Sequence, residues 1–280
     1  MNYKSVNCLF TALIMPLIFF TPAPTFASQQ IAQIRGNNSP IPYFPPPNYQ
    51  ILGQNYYNQA NIELQNGNYQ AAIQNYTQAL NLSPSFAEAY LGRGLAKRRL
   101  GDNQGAVEDY TKVIQIQPNN ALAYHNRGVV QAVLGRHQNA LTDYTQAILI
   151  NPNDASSYLN RGRSRFSLGD KLGSIKDYEQ SLQRNQNNSL AWHYLGIAFF
   201  DIGNYQKALD SYNQALNLNQ NWGNITEADV YKNRATTQLK LQNNQAALQD
   251  LQKAAGLYQQ QGNIEEYQQT INELKNIQQI

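Results

Sequence analysis

Residues 121–154 read ALAYHNRGVVQAVLGRHQNALTDYTQAILINPND, and residues 155–188, ASSYLNRGRSRFSLGDKLGSIKDYEQSLQRNQNN, follow the same plan without a gap. Tyr124 answers Tyr158, Gly128 answers Gly162, Gly135 answers Gly169 and Tyr144 answers Tyr178. Carried outward, the register gives blocks at 53–86, 87–120 and 189–222, and a sixth at 228–261 after an insertion of residues 223–227. A fixed period of about 34 residues marks a stacked-repeat architecture, in which no single unit buries its own apolar face.

The columns of this register carry the physical reading. The fourth position is aromatic in every block (Tyr56, Tyr90, Tyr124, Tyr158, Trp192, Tyr231) and the eighth is tiny (Ala60, Gly94, Gly128, Gly162, Gly196, Ala235). The twentieth is Ala or Ser, and the twenty-fourth is Tyr in all but the sixth block, where Leu251 stands. Tiny residues let two helix backbones approach, and aromatic rings fill the space beside them. Gly67, Gly101, Gly135, Gly169 and Gly203 fall where a first helix ends, while Pro84, Pro118 and Pro152 close the second helix of the first three blocks. Each block therefore reads as two amphipathic helices.

This order of aromatic, small, Gly, Ala, aromatic and Pro resembles the tetratricopeptide repeat family over residues 53–261. The resemblance implies an all-α fold: a right-handed α-solenoid of stacked antiparallel helix pairs, whose first helices line a concave groove. The sixth block departs from the pattern with Gln242 at the turn. After it, residues 262–280 read as a capping helix with an apolar stripe of Ile264, Tyr267, Ile271, Leu274 and Ile277.

Outward from the repeats, Val6 to Phe20 is an apolar run preceded by Lys4 and followed by a small-residue exit at Ala27. Residues 1–27 are expected to be a cleaved secretory signal peptide, since the run is shorter than the roughly 20 residues that span a bilayer and Pro16 interrupts it. Contact with a membrane is then transient, and the compartment is expected to be periplasmic or extracellular, with a lumenal compartment as the alternative. Residues 28–52, with Pro40, Pro42, Pro45, Pro46 and Pro47, read as an extended linker. The sequons at Asn75, Asn81 and Asn224 matter only in a eukaryotic secretory pathway.

Composition narrows the function. The chain has 280 residues, 42% of them hydrophobic and only 14% charged; Asn and Gln make up about a quarter. A net charge of +3 with no basic stripe argues against nucleic acid. One Cys and three His leave too little for a structural metal site, and no triad or carboxylate dyad emerges. No enzyme activity, cofactor, metal or small-molecule substrate is expected.

Two columns vary together. Arg93, Arg127, Arg161 and Arg234 occupy the seventh position where Asp109, Asp143, Asp177 and Asp250 occupy the twenty-third, and Leu195 and Gln59 accompany Ser211 and Asn75. This pattern predicts an ion pair between the two helices of one repeat, with a structural rather than an anion-binding role because each Arg has its own Asp.

In the family that the chain resembles, ligand contacts come largely from first helices. That implies a peptide-binding groove here at Tyr57, Asn61, Leu91, Leu95, Arg98, Arg99, His125, Val129, Leu159, Arg163, Phe166, His193, Ile197 and Phe200. The Lys and Asn set with which some members grip a carboxylate terminus is missing. A protein or peptide partner with apolar anchors and some acidic residues fits this lining, in a scaffold serving assembly of a larger complex. The alternative is a self-associating structural module tethered by its Pro-rich arm.

Overall fold

The computed structural model describes residues 48–278 except Asn221 and Asn224. The expected signal peptide, residues 28–47 of the expected linker and the sequon at Asn224 lie outside the described residues. Thirteen α-helices occur among the described residues, and no strand. They are α1 (Tyr49–Gln65), α2 (Tyr69–Leu82), α3 (Ala87–Arg99), α4 (Asn103–Ile116), α5 (Ala121–Val133), α6 (His137–Ile150) and α7 (Ala155–Ser167). Then come α8 (Lys171–Arg184), α9 (Ser189–Asp201), α10 (Tyr205–Leu218), α11 (Glu227–Lys240), α12 (Asn244–Gln260) and α13 (Ile264–Gln278).

Local chemistry sets the helix limits. Asp102, Asn120, Asp154, Asp170, Asn188, Asn204 and Thr226 each accept a first-turn backbone N–H, and Thr226 with Asp229 completes a capping box. Gly101 ends one first helix at φ +84°, a left-handed conformation that glycine adopts without Cβ strain. Gln242 holds the same kind of turn at φ 63°. At the other end, α1 takes in Tyr49–Leu52, which the sequence reading assigned to the extended linker. The last proline of that stretch is Pro47, and the Asn48 side chain accepts from Ile51 N–H, so helix can begin there.

The pairs α1/α2 through α11/α12 stack as an α-solenoid, each second helix packing on the next first helix. First helices of neighbouring pairs also touch directly at α1/α3, α5/α7, α7/α9 and α9/α11, which puts them on the inner side of the curve. Tyr76, Tyr110, Tyr144, Tyr178 and Tyr212 are fully buried. The small eighth column faces these rings: a Cβ on Gly128 would sit 2.9 Å from Tyr144 Cε1. The core is one seam shared between neighbours, as where Leu159, Tyr178, Leu195, Tyr212 and Val230 from three successive pairs join a single cluster.

The last helix closes the stack. Leu274, Tyr267, Ile271 and Ile277 pack against Ala235, Ala247, Leu251 and Ala255, and Lys232 Nζ meets Glu266 at 2.8 Å. Ile264 is a correction to the predicted stripe: it is 73% exposed, because as the first residue of α13 it lies beyond the edge of α12. No helix among the described residues is long and apolar enough to cross a membrane.

Candidate functional site

Two groups of first-helix arginines differ in their partners. Arg93, Arg127, Arg161 and Arg234 each donate two N–H groups to the Asp of their own repeat, at 2.6–3.0 Å. Asp109, Asp143, Asp177 and Asp250 are buried. Each guanidinium also lies over the fourth-column ring of its helix, 5.3–5.7 Å from Tyr90, Tyr124, Tyr158 and Tyr231. The third arm reaches the preceding repeat: Arg93 to Thr77 at 3.1 Å, Arg127 to Thr111 at 3.0 Å, Arg161 to Thr145 at 3.4 Å and Arg234 to Asn213 at 2.8 Å. These arginines are spent on holding the solenoid together.

Arg98, Arg99 and Arg163 on the first helices form the second population. Among the described residues none has a carboxylate partner. Arg163 lies over the Tyr194 ring at 4.9 Å, and its guanidinium meets Asn160 at 3.5 Å. Burial pushes the Tyr144 phenol up, and the charges of Arg163 and Arg98 both oppose that shift, which places positive potential from two repeats around one ring.

Beside Tyr144 lies a hollow of about 220 Å³ between α5, α6 and α7. Val129, Ala132 and Val133 give it an apolar wall, and Asn160, Arg163 and Ser167 a polar one. Ser164 Oγ and His137 Nδ1, also on its lining, are buried atoms with no hydrogen-bond partner among the described residues. An apolar wall facing an unneutralised guanidinium and two unpaired polar atoms can take an apolar side chain together with a carboxylate or carbonyl oxygen.

Of the residues predicted for the groove, Val129 and Arg163 meet at this hollow, and Arg98 contributes its charge nearby. Arg99 is exposed and Leu95 half-buried. Several others are engaged within the chain. Tyr57 stacks 4.7 Å from Phe86, Asn61 accepts from Tyr76 Oη at 2.6 Å, and Leu91 packs beside Val113 and Val130. His125 ties α5 to the start of α7, with Nδ1 at 2.7 Å from Ser157 Oγ and 3.5 Å from Asp154 Oδ2. That contact leads the effects that hold the Asp154 carboxyl down at about 2.

Phe166, Ile197 and Phe200 are partly buried against the core of repeats four and five. Two residues are corrections: Leu159 is 7% exposed and His193 3%, so neither lines a surface. His193 lies against the rings of Tyr194 and Tyr212, and Leu159 belongs to the cluster that holds Tyr178, Leu190 and Leu195. Asn160, Ser164 and His137 escaped the sequence reading because they stand outside the family's contact columns; only their meeting in space marks them. Among the described residues, no group of three His, Cys, Asp or Glu side chains could hold a metal ion.

Comparison with known proteins agrees with this architecture. Models described as tetratricopeptide repeat match residues 57–121, 121–154, 155–188 and 188–266. The chain belongs to the tetratricopeptide repeat family. The family is one of protein-interaction scaffolds, typically without enzymatic activity. No curated protein matches the sequence.

Among solved structures, the fold is similar to that of Pseudomonas aeruginosa PilF, with a TM-score of 0.67 and 19% identity over 80% of this chain and 99% of that one. It is similar also to PilW, a type IV pilus biogenesis factor, with a TM-score of 0.66 and 20% identity over 79% and 98% of the two chains. YrrB, a repeat protein with an unusual peptide-binding site, aligns with a TM-score of 0.52 and 22% identity over 58% and 84%. At these identities the likeness is one of fold.

Proposed function

We propose that this tetratricopeptide repeat protein is an exported, non-enzymatic scaffold that holds segments of partner proteins along its concave face. The observation that carries the proposal is the contrast between the two arginine populations. The clamp arginines are neutralised by buried Asp, whereas among the described residues Arg98 and Arg163 have no carboxylate partner, and Arg163 lines a hollow that has an apolar wall. A peptide with an apolar anchor next to an acidic residue satisfies that lining. Export rests on the Val6–Phe20 run and the exit at Ala27, and the role extends to assembly of a larger complex in that compartment.

Crosslinking in the exported fraction, followed by pull-down with the full chain and with an Arg98→Ala/Arg99→Ala/Arg163→Ala variant, tests this reading. Partners captured through the concave face should be lost with the triple variant while its circular dichroism stays unchanged. Equal capture by both proteins refutes the assignment to this face.

A further inference from the structure

The fourth and fifth repeats meet without the clamp that joins every other pair. At the other four junctions an Arg from a first helix lies over its own Tyr, pairs with Asp on the following helix, and reaches Thr or Asn on the preceding one. Here the same positions hold Leu195, Trp192, Ser211 and Glu179. The Arg is gone, yet an aromatic ring remains, and a carboxylate has replaced the neutral acceptor.

The space is open. A hollow of about 700 Å³ lies between α8, α9 and α10, on the face opposite the concave groove. Leu182, Leu195, Phe199 and Ser211 are the buried part of its lining, and Glu179 and Asp210 are exposed on it. Lys207 also lines it, its ammonium 5.3 Å from the Phe199 ring centre. Among the described residues Glu179 makes no hydrogen bond or ion pair, and Asp210 accepts only from Gln206 at 3.1 Å. No cation among the described residues lies over Trp192, whose indole N–H donates to Gln186 O at 3.1 Å.

We infer that this hollow receives an arginine side chain from a partner protein, presented between apolar residues. Its guanidinium sits against Trp192 and the carboxylates of Glu179 and Asp210, where the chain's own arginines sit at the other junctions. The flanking apolar side chains cover Leu195 and Phe199. Complementarity supports this occupant twice over. Two carboxylates against one lysine favour a cation, and planar guanidinium stacks on indole better than ammonium does. The outer face thus selects a basic segment, where the concave face selects an acidic one.

The test uses the full chain and a fluorescently labelled nine-residue host peptide whose central residue, between two leucines, is Arg, citrulline or Leu. Anisotropy should show saturable binding of the Arg host and binding about tenfold weaker for citrulline, the uncharged isostere. Leu195→Arg/Ser211→Asp installs the missing clamp and should abolish binding. Glu179→Gln, at an exposed position that leaves folding untouched, should weaken it several-fold and flatten its salt dependence. Arg98→Ala/Arg163→Ala should change nothing, which separates this site from the concave one. The inference is overturned if no host binds at millimolar peptide, if Leu or citrulline binds as well as Arg, or if Glu179→Gln leaves affinity unaltered.

Discussion

Removing the arginine of the third repeat should destabilise the solenoid more than removing either of its neighbours. Arg127 donates to Asp143 at 2.7 and 3.0 Å, and Asp143 is only 4% exposed with no other cation beside it. Arg127→Met leaves that carboxylate buried and unpaired, at a cost of about 3–5 kcal/mol. A further ~0.5 kcal/mol goes with the stacking on Tyr124. Asp109 and Asp177 differ because Lys97 lies 3.0 Å from one and Arg165 2.9 Å from the other. Arg93→Met and Arg161→Met therefore leave a paired charge and should cost about half as much. In Arg127→Met/Asp143→Leu no charge is stranded, and stability should return to within roughly 1–2 kcal/mol of the parent.

Urea denaturation followed by circular dichroism measures all of these, since guanidinium salts would screen the pair. The m-value must stay constant, so that the same cooperative unit unfolds in each protein. Additive single-site losses in the double variant would refute the coupling. Equal losses for Arg93→Met and Arg127→Met would refute the protective role of Lys97.

Backbone, packing and burial carry three more predictions. Gln242→Gly should raise stability by about 0.5–1 kcal/mol, because Gln242 holds φ 63° where five other turns use glycine. Gly128→Ala should lower it by about 1–3 kcal/mol through the contact with Tyr144, and thermal melts showing the same sign for both would contradict the packing account. The third His of the sequence, His193, supplies a pH dependence. Burial lowers its pKa from 6.5 to about 4, against a weaker opposing pull from Asp229. The native state keeps it neutral while the unfolded chain takes up the proton. Stability is therefore complete above about pH 6.5 and falls toward pH 4, by roughly 3 kcal/mol at the lower limit. His193→Phe should remove that part of the slope; an unchanged difference in stability between pH 7 and 4.5 would argue against it.

What could be read from residues alone was whatever repeats at fixed spacing. Helix pairs, the glycine turn and the small residue that faces a tyrosine are short-range consequences of covalent connectivity, and six copies make each one visible. The Arg and Asp columns belong to the same class, because two helices joined by a tight turn present the same positions to each other in every copy. Contacts between copies obey no such spacing. The third arm of Arg127 on Thr111, the second cation beside Asp109 and the burial of Leu159 and His193 depend on how far one pair rotates and slides against the next. So do the hollow at Val129, Arg163 and Ser164 and the open slot at Leu195. Side-chain volumes summed over a whole interface set that rotation, so only the packed structure decides which side chains are consumed in holding the stack and which remain free to meet a partner.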